Sequence, residues 1–203
     1  MKLYYMPGAC SLASHIVLEW IGKPYETHKL SRDELKAPEF LKVNPLGAVP
    51  ALAHDGWTVT QNAAILEYLA EHAPELKLLG DGTPRSRAEV RRWLGFINSD
   101  IHKTFSMIFG APRFLGDEAA QKELAASASA LLSKLFAQLD GQLAGKSYLT
   151  GDTPSIADAY LYVVLRWAHG KEVNLSGLDN LAAFFKRMEA DKGVQAALKA
   201  EGL

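Results

Sequence analysis

Cys10 is the single cysteine of a 203-residue chain and stands in Pro7-Gly8-Ala9-Cys10-Ser11, just ahead of a helical apolar run. The start of a helix offers unpaired amides and a partial positive charge, and both stabilise a thiolate. A cysteine so placed is itself reactive, or the same amides hold the thiolate of a small ligand. The third reading is a buried structural thiol. No C-x-x-C accompanies it, which argues against a two-thiol redox enzyme, and one cysteine allows no intrachain disulfide.

Three further stretches carry polar groups at useful spacings. Asn44-Pro45-Leu46-Gly47-Ala48-Val49-Pro50-Ala51-Leu52 sets Pro50 directly before a strand-like run, after a glycine turn. Pro50 is either cis, which would turn out the Val49 N–H and C=O to pair with an extended peptide-like ligand, or an ordinary trans proline. Thr60-Gln61-Asn62 opens a helix with Asn62 as its N-cap, and free amides there can receive a carboxylate or do no more than cap. Asn98 and His102 lie four apart and share a helix face, with Lys103 beside them. Placed opposite an apolar stripe, they either reach a ligand across a cleft or form a solvated face. His15, His28, His54, His72 and His169 show no metal-ligand spacing, and H-E-x-x-H is missing, so no metal is expected. G-x-G-x-x-G, Walker and G-x-S-x-G motifs are missing too.

The elements that must position these groups change character along the chain. Leu3 to Met6 reads as a buried strand ended by Pro7-Gly8, and Ser11 opens a helix to about Gly22, a left-handed terminator before Pro24. Tyr25 to Leu30 is a second strand of weak alternation, and Pro38 to Val43 a short helix. Ala51 to His54 and Trp57 to Thr60 flank Asp55-Gly56, a hairpin turn. A helix from Asn62 to His72 follows. Pro74, Gly80, Asp81, Gly82 and Pro84 give linker composition, so the expected domains are 1–78 and 85–203. Beyond the linker, Trp93, Ile97, Ile101, Phe105 and Ile108 predict one long amphipathic helix. Leu124, Ala128, Leu131, Leu135 and Leu139 predict the next. Ser155-Ile156-Ala157-Asp158 is a capping box ahead of an all-round apolar helix, Ala159 to Ala168, expected at the centre of a helical domain. Phe184, Phe185 and Met188, then Val194 and Leu198, predict two closing helices.

Bulk properties are those of an ordinary globular chain, 48% hydrophobic and 22% charged, with a net charge of −1. No dense basic patch points to nucleic acid. The longest apolar stretches, such as Ile156 to Leu165, are far short of the roughly 20 residues that cross a bilayer. The N-terminus lacks the form of a secretory signal. A reducing cytoplasm is the expected location.

In order and spacing, these segments resemble the glutathione transferases, and within them the bacterial, cysteine-bearing beta class. The resemblance covers essentially the whole chain. It rests on Met1-Lys2-Leu3-Tyr4-Tyr5 with Pro7 to Ser11, on Asn44 to Leu52, and on Asn62-Ala63-Ala64-Ile65-Leu66-Glu67-Tyr68-Leu69. Trp93-Leu94 with Ile101-His102-Lys103, and Ser155 to Leu161, complete it. It implies an α/β thioredoxin-like N-terminal domain followed by an all-helical C-terminal bundle domain, assembled as a homodimer. Glutathione would be the co-substrate, with no metal, and a small hydrophobic electrophile the second substrate.

The resemblance also assigns roles. Cys10, Ser11 and His102 would surround the glutathione sulfur, Cys10 being able to form a mixed disulfide with it. Ala9, Val49, a cis Pro50, Gln61, Asn62 and Lys103 would hold the tripeptide, and Asp100 would reach the glutathione of a neighbouring subunit. Phe105, Met107 and Phe109 would wall the electrophile pocket. The chain departs from the family's pattern in three places. Gln61-Asn62 stands where an acid and a small residue are usual, and Gly95 where asparagine is common. Ser31 to Glu39 looks shortened, leaving Lys36 as the match for the basic residue at the glycine carboxylate. The implied activity is conjugation of glutathione to electrophiles, with thiol–disulfide exchange at Cys10. The alternatives are glutathione-dependent dehalogenation or isomerisation, and a non-catalytic ligandin that binds hydrophobic molecules.

Overall fold

The computed structural model describes residues 1–203. Its sheet begins with β1 (Lys2–Tyr5). Alternate side chains of a strand point to opposite faces. Leu3 and Tyr5 therefore enter the main core with α1 (Ser11–Ile21), while Tyr4 joins a smaller cluster on the other face. β2 (Glu26–Lys29) pairs with β1 in parallel, and β3 (Ala51–His54) pairs with it antiparallel on the other side. β4 (Trp57–Thr60) closes the order β2-β1-β3-β4 through the Asp55-Gly56 turn, where both residues have positive φ. All four β2 residues are exposed, so this edge strand has no apolar face to write into its sequence.

α1 and α3 (Asn62–Glu71) pack on one face of the sheet. On the other, α2 (Pro38–Val43) sets Phe40 against Tyr4, ring centres 5.8 Å apart. Gly47 (φ 58°) ends the turn after α2; a Cβ there would stand 2.6 Å from the Leu35 carbonyl, so only glycine fits. This is a thioredoxin-like arrangement.

From Pro84 onward every element is helical: α4 (Pro84–Phe96), a π-helical turn (Ile97–His102), α5 (Lys103–Phe109) and α6 (Ala111–Phe114). Then come α7 (Glu118–Leu143), α8 (Ile156–Gly170), α9 (Asp179–Glu189) and α10 (Lys192–Glu201). The single long helix expected around Trp93 to Ile108 is thus interrupted by a wide turn, a feature frequent at functional sites. The buried stripe of α7 is Ala128, Leu132, Phe136, Leu139 and Leu143, rotated from the one expected; Leu131 is exposed.

α8 is the buried centre, as its composition requires. Asp158 reaches back to accept from the Ser155 amide (2.8 Å) and hydroxyl (2.6 Å), and also from the Leu149 amide (2.9 Å). Burial pushes its carboxyl up to about 6 against those three bonds. The linker-like segment does not hang free: Leu78 and Leu79 are buried, and the Ile156 amide donates to the Leu78 carbonyl at 3.1 Å. One apolar core runs from Leu3 to Ala197, because α1 packs against both α8 and α10.

Candidate active site

The loop from Met6 to Cys10 turns the chain out of β1 into α1. Its sulfur lies where expected, at the N-cap of α1. The amides of Cys10 and Ser11 face that sulfur and bond to no carbonyl in the chain. Of the three readings open for Cys10, a resting thiolate on its own sulfur is the one disfavoured: burial outweighs the two amides and pushes the thiol up to about 12. The thiol is therefore protonated at neutral pH and donates to the Val49 carbonyl at 3.4 Å.

The Val49–Pro50 bond is cis. Of the two Val49 backbone groups expected to be free, the carbonyl is taken by Cys10, while the N–H has no partner in the chain. Ser11 is fully buried; its hydroxyl exchanges hydrogen bonds with the Met6 amide and carbonyl, both 3.3 Å, so it braces the loop from inside. The Ala9 amide closes the same turn onto Met6 O at 3.0 Å.

Asn62 is not the N-cap. Gln61 holds that position, exposed and at φ 73°, a strained conformation for a residue with a side chain. Asn62 is the first helical residue and is buried, accepting from Ser14 Oγ at 2.8 Å, with its Nδ2 unpartnered. Lys36 reaches over Gly47, Nζ 3.4 Å from the carbonyl, and places a cation beside the Val49 segment.

The helical half meets this loop through α8 and the π turn. His102 is not opposite the apolar stripe: it is half-buried, and its Nδ1 lies 2.5 Å from the hydroxyl of Tyr160 on α8. The same hydroxyl donates to Asn98 Oδ1 at 3.2 Å and lies close enough to feel Cys10 and the Asn62 amide. Burial lowers the His102 pKa below 6.5, so the ring is neutral at neutral pH. Asp100 and Lys103 are exposed; Asp100 accepts from Ser99, and Lys103 makes no ion pair.

Trp167 was not among the expected site residues. Its indole stands 4.9 Å from the His102 ring and 5.5 Å from those of Phe105 and Phe109. Phe105 is fully buried and packs on Phe136, so it is a floor rather than a wall. Phe109 stacks on it, 46% exposed, as the open aromatic face, and Met107 is half-buried nearby on α5. Trp167 and Tyr160 had a sequence signal of a general kind: polar tips in a helix too apolar to face water must find buried partners.

A clamp on Gly8 joins the two halves. Trp167 Nε1 donates to its carbonyl at 2.8 Å, and its amide donates to Glu201 Oε2 at 2.9 Å. Glu201 is buried and holds His15 Nδ1 at 2.9 Å through its other oxygen. No local pattern announces bonds between residues so distant in sequence.

Comparison with known proteins places this geometry. The profile of the glutathione S-transferase N-terminal domain matches residues 1–71, and that of the C-terminal domain residues 97–192. The chain is 52% identical, over the full length of both, to glutathione S-transferase GST-4.5 of Xanthomonas campestris pv. campestris. A solved glutathione S-transferase from Xylella fastidiosa superposes with a TM-score of 0.96 at 50% identity, covering 100% of this chain and 98% of that one. A bacterial beta class enzyme from Sphingomonas chungbukensis gives 0.88 at 38% identity, over 100% of each chain.

Proposed function

The chain belongs to the glutathione S-transferase family and is a transferase, and on that premise we propose that it adds the glutathione thiolate to soft, hydrophobic electrophiles. The observation that carries this is the pair of unbonded amides at Cys10 and Ser11, set beside the unpartnered Val49 N–H. An extended tripeptide can pair with Val49 and place its thiolate against those two amides, where an anion is favoured. Gln61 and the backbone amide of Asn62 then hold the γ-glutamyl end, with Ala9 lining the loop, and Lys36 and Lys103 meet the glycine carboxylate. Ser11 supports the anion by holding the loop in shape. Phe109 and Met107, over the Phe105 floor, receive the electrophile. We read the working molecule as a cytoplasmic homodimer in which Asp100 approaches the glutathione of the second subunit.

The reaction joins the glutathione sulfur to the electrophilic carbon; a leaving group departs with its bonding pair. The thiol of Cys10, held near 12 by burial, is not the attacking group. Cys10 is half-buried and not sealed off, which admits a second use, slow at neutral pH because the thiolate is the attacking form. Oxidised glutathione would exchange with it, releasing one glutathione and leaving a Cys10–glutathione disulfide. Intact mass after incubation with oxidised glutathione tests this: a reversible gain of one glutathionyl group is expected, and none in Cys10→Ala. Conjugation of an activated chloroarene tests the main reading and should survive Cys10→Ala. Tight binding of a hydrophobic dye with no turnover of any electrophile would instead mark a non-catalytic binder.

A further inference from the structure

Tyr160 is the fully buried polar residue at the meeting point of α8, the π turn and the start of α3. A phenol has one proton and two lone pairs. Asn98 Oδ1 can only accept, and it lies 3.2 Å away. Asn62 Nδ2 can only donate; it is buried, has no hydrogen-bond partner in the chain, and is near enough for the phenol to feel it, with Oδ1 held by the Ser14 hydroxyl. With the phenolic proton given to Asn98, His102 Nδ1 at 2.5 Å must be the donor. A neutral imidazole has one N–H, so Nε2, which bonds to nothing in the chain, then carries a lone pair.

We propose that Tyr160, backed by Asn98, is a positioning residue that fixes His102 in the Nδ1–H tautomer and so makes Nε2 the base for the glutathione thiol. This rests on the reading of His102 as the group facing the glutathione sulfur. In the step, the S–H bond breaks and its proton forms an N–H bond at Nε2. The sulfur pair attacks the electrophile, and the imidazolium later passes the proton to water. Tyr160 accepts from Nδ1–H throughout, which steadies the transient cation. The titratable groups around the ring are the Tyr160 phenol from α8 and the Cys10 thiol from α1, both raised by burial, with Asp100 and Lys103 exposed on the same turn.

Long-range proton–nitrogen spectra of the whole protein labelled with 15N-histidine read the tautomer directly, the His102 signals being those lost in His102→Gln. The expected result at neutral pH is a single Nδ1–H form. Asn98→Leu, at an exposed position, frees the phenolic proton to turn onto Nδ1 and should move the ring toward the Nε2–H form. Tyr160→Phe should give mixed tautomers and lower kcat about 10-fold to 100-fold, by analogy with the loss of the outer partner of a metal-bound histidine, at unchanged KM for glutathione. An Nε2–H ring in the unaltered protein overturns the proposal, as does an unchanged tautomer and kcat in both variants. Full activity in His102→Gln would instead remove the reading beneath it, whatever the tautomer.

Discussion

The Trp167 indole and the Gly8 carbonyl are hydrogen-bonded at 2.8 Å, so a residue of the central helix holds the loop that leads to Cys10. Trp167→Phe keeps a ring against His102 and Phe109 and removes the N–H. The orphaned carbonyl should cost about 1 kcal/mol in urea unfolding. If the same strain is felt in glutathione binding, KM for glutathione rises about fivefold. Unchanged KM with lowered stability would mean that the bond supports the fold and not the site.

Glu201 is the other half of that clamp. Glu201→Ala leaves the Gly8 N–H and His15 Nδ1 without their acceptor in a dry place, and His15 Nε2 already lacks a partner. A loss of about 2–5 kcal/mol is expected for a buried ring nitrogen and a half-buried amide so treated. Glu201→Gln, which can still accept one bond, should recover part of it. Parent-like stability of the alanine variant would show that water takes the carboxylate's place.

Phe109→Ala removes the exposed aromatic face of the pocket and leaves the Phe105 floor in the core. KM for an aromatic electrophile should rise several-fold while KM for glutathione stays put. Parallel changes in both would contradict the division of the site between the two halves of the chain.

Asp158 gives stability a pH dependence of unusual sign. Its folded pKa, about 6, lies above the ordinary 3.8, so between these values the folded chain holds a proton that the unfolded chain has lost. Stability from this group therefore falls as pH rises through that window. His102 runs the other way: its folded value is depressed below 6.5, so its contribution is lost as pH falls through the interval beneath 6.5. Comparing Asp158→Asn with the parent separates the two. From pH 4 to pH 7 the variant should gain about 2–3 kcal/mol relative to the parent. No relative gain would mean that the three hydrogen bonds to the carboxylate cancel the effect of burial.

Much of this molecule was legible in local patterns. Pro7-Gly8, Gly22 and Asp55-Gly56 punctuate elements through backbone conformations that few residues adopt, and the structure uses each as expected. Cys10, Val49 and the Asn98–His102 pair could be singled out by type and spacing. Their roles could not, because the forces that decide them are not local. The pKa of Cys10 is set by what packs over it. The direction of His102 is set by a tyrosine 58 residues further along, which the sequence placed in the core and gave no polar task. The rotated stripe of α7 shows the same limit: leucine is plentiful on both faces of that helix, and packing partners select the buried set.

The clamp on Gly8 also orders events during synthesis. Glu201 follows Gly8 by 193 residues, and at roughly 5–20 residues per second it arrives about 10–40 s later. β1, α1 and the hairpin can pair long before then, and Ser11 and the Met6–Ala9 turn shape the Cys10 loop from within, yet both outer bonds to Gly8 are in place only once α8 and then α10 have been made. The emerging N-terminal half therefore carries its cysteine in a loop that still lacks its outer clamp, and the last of that clamp closes when the far end of the chain reaches the first turn.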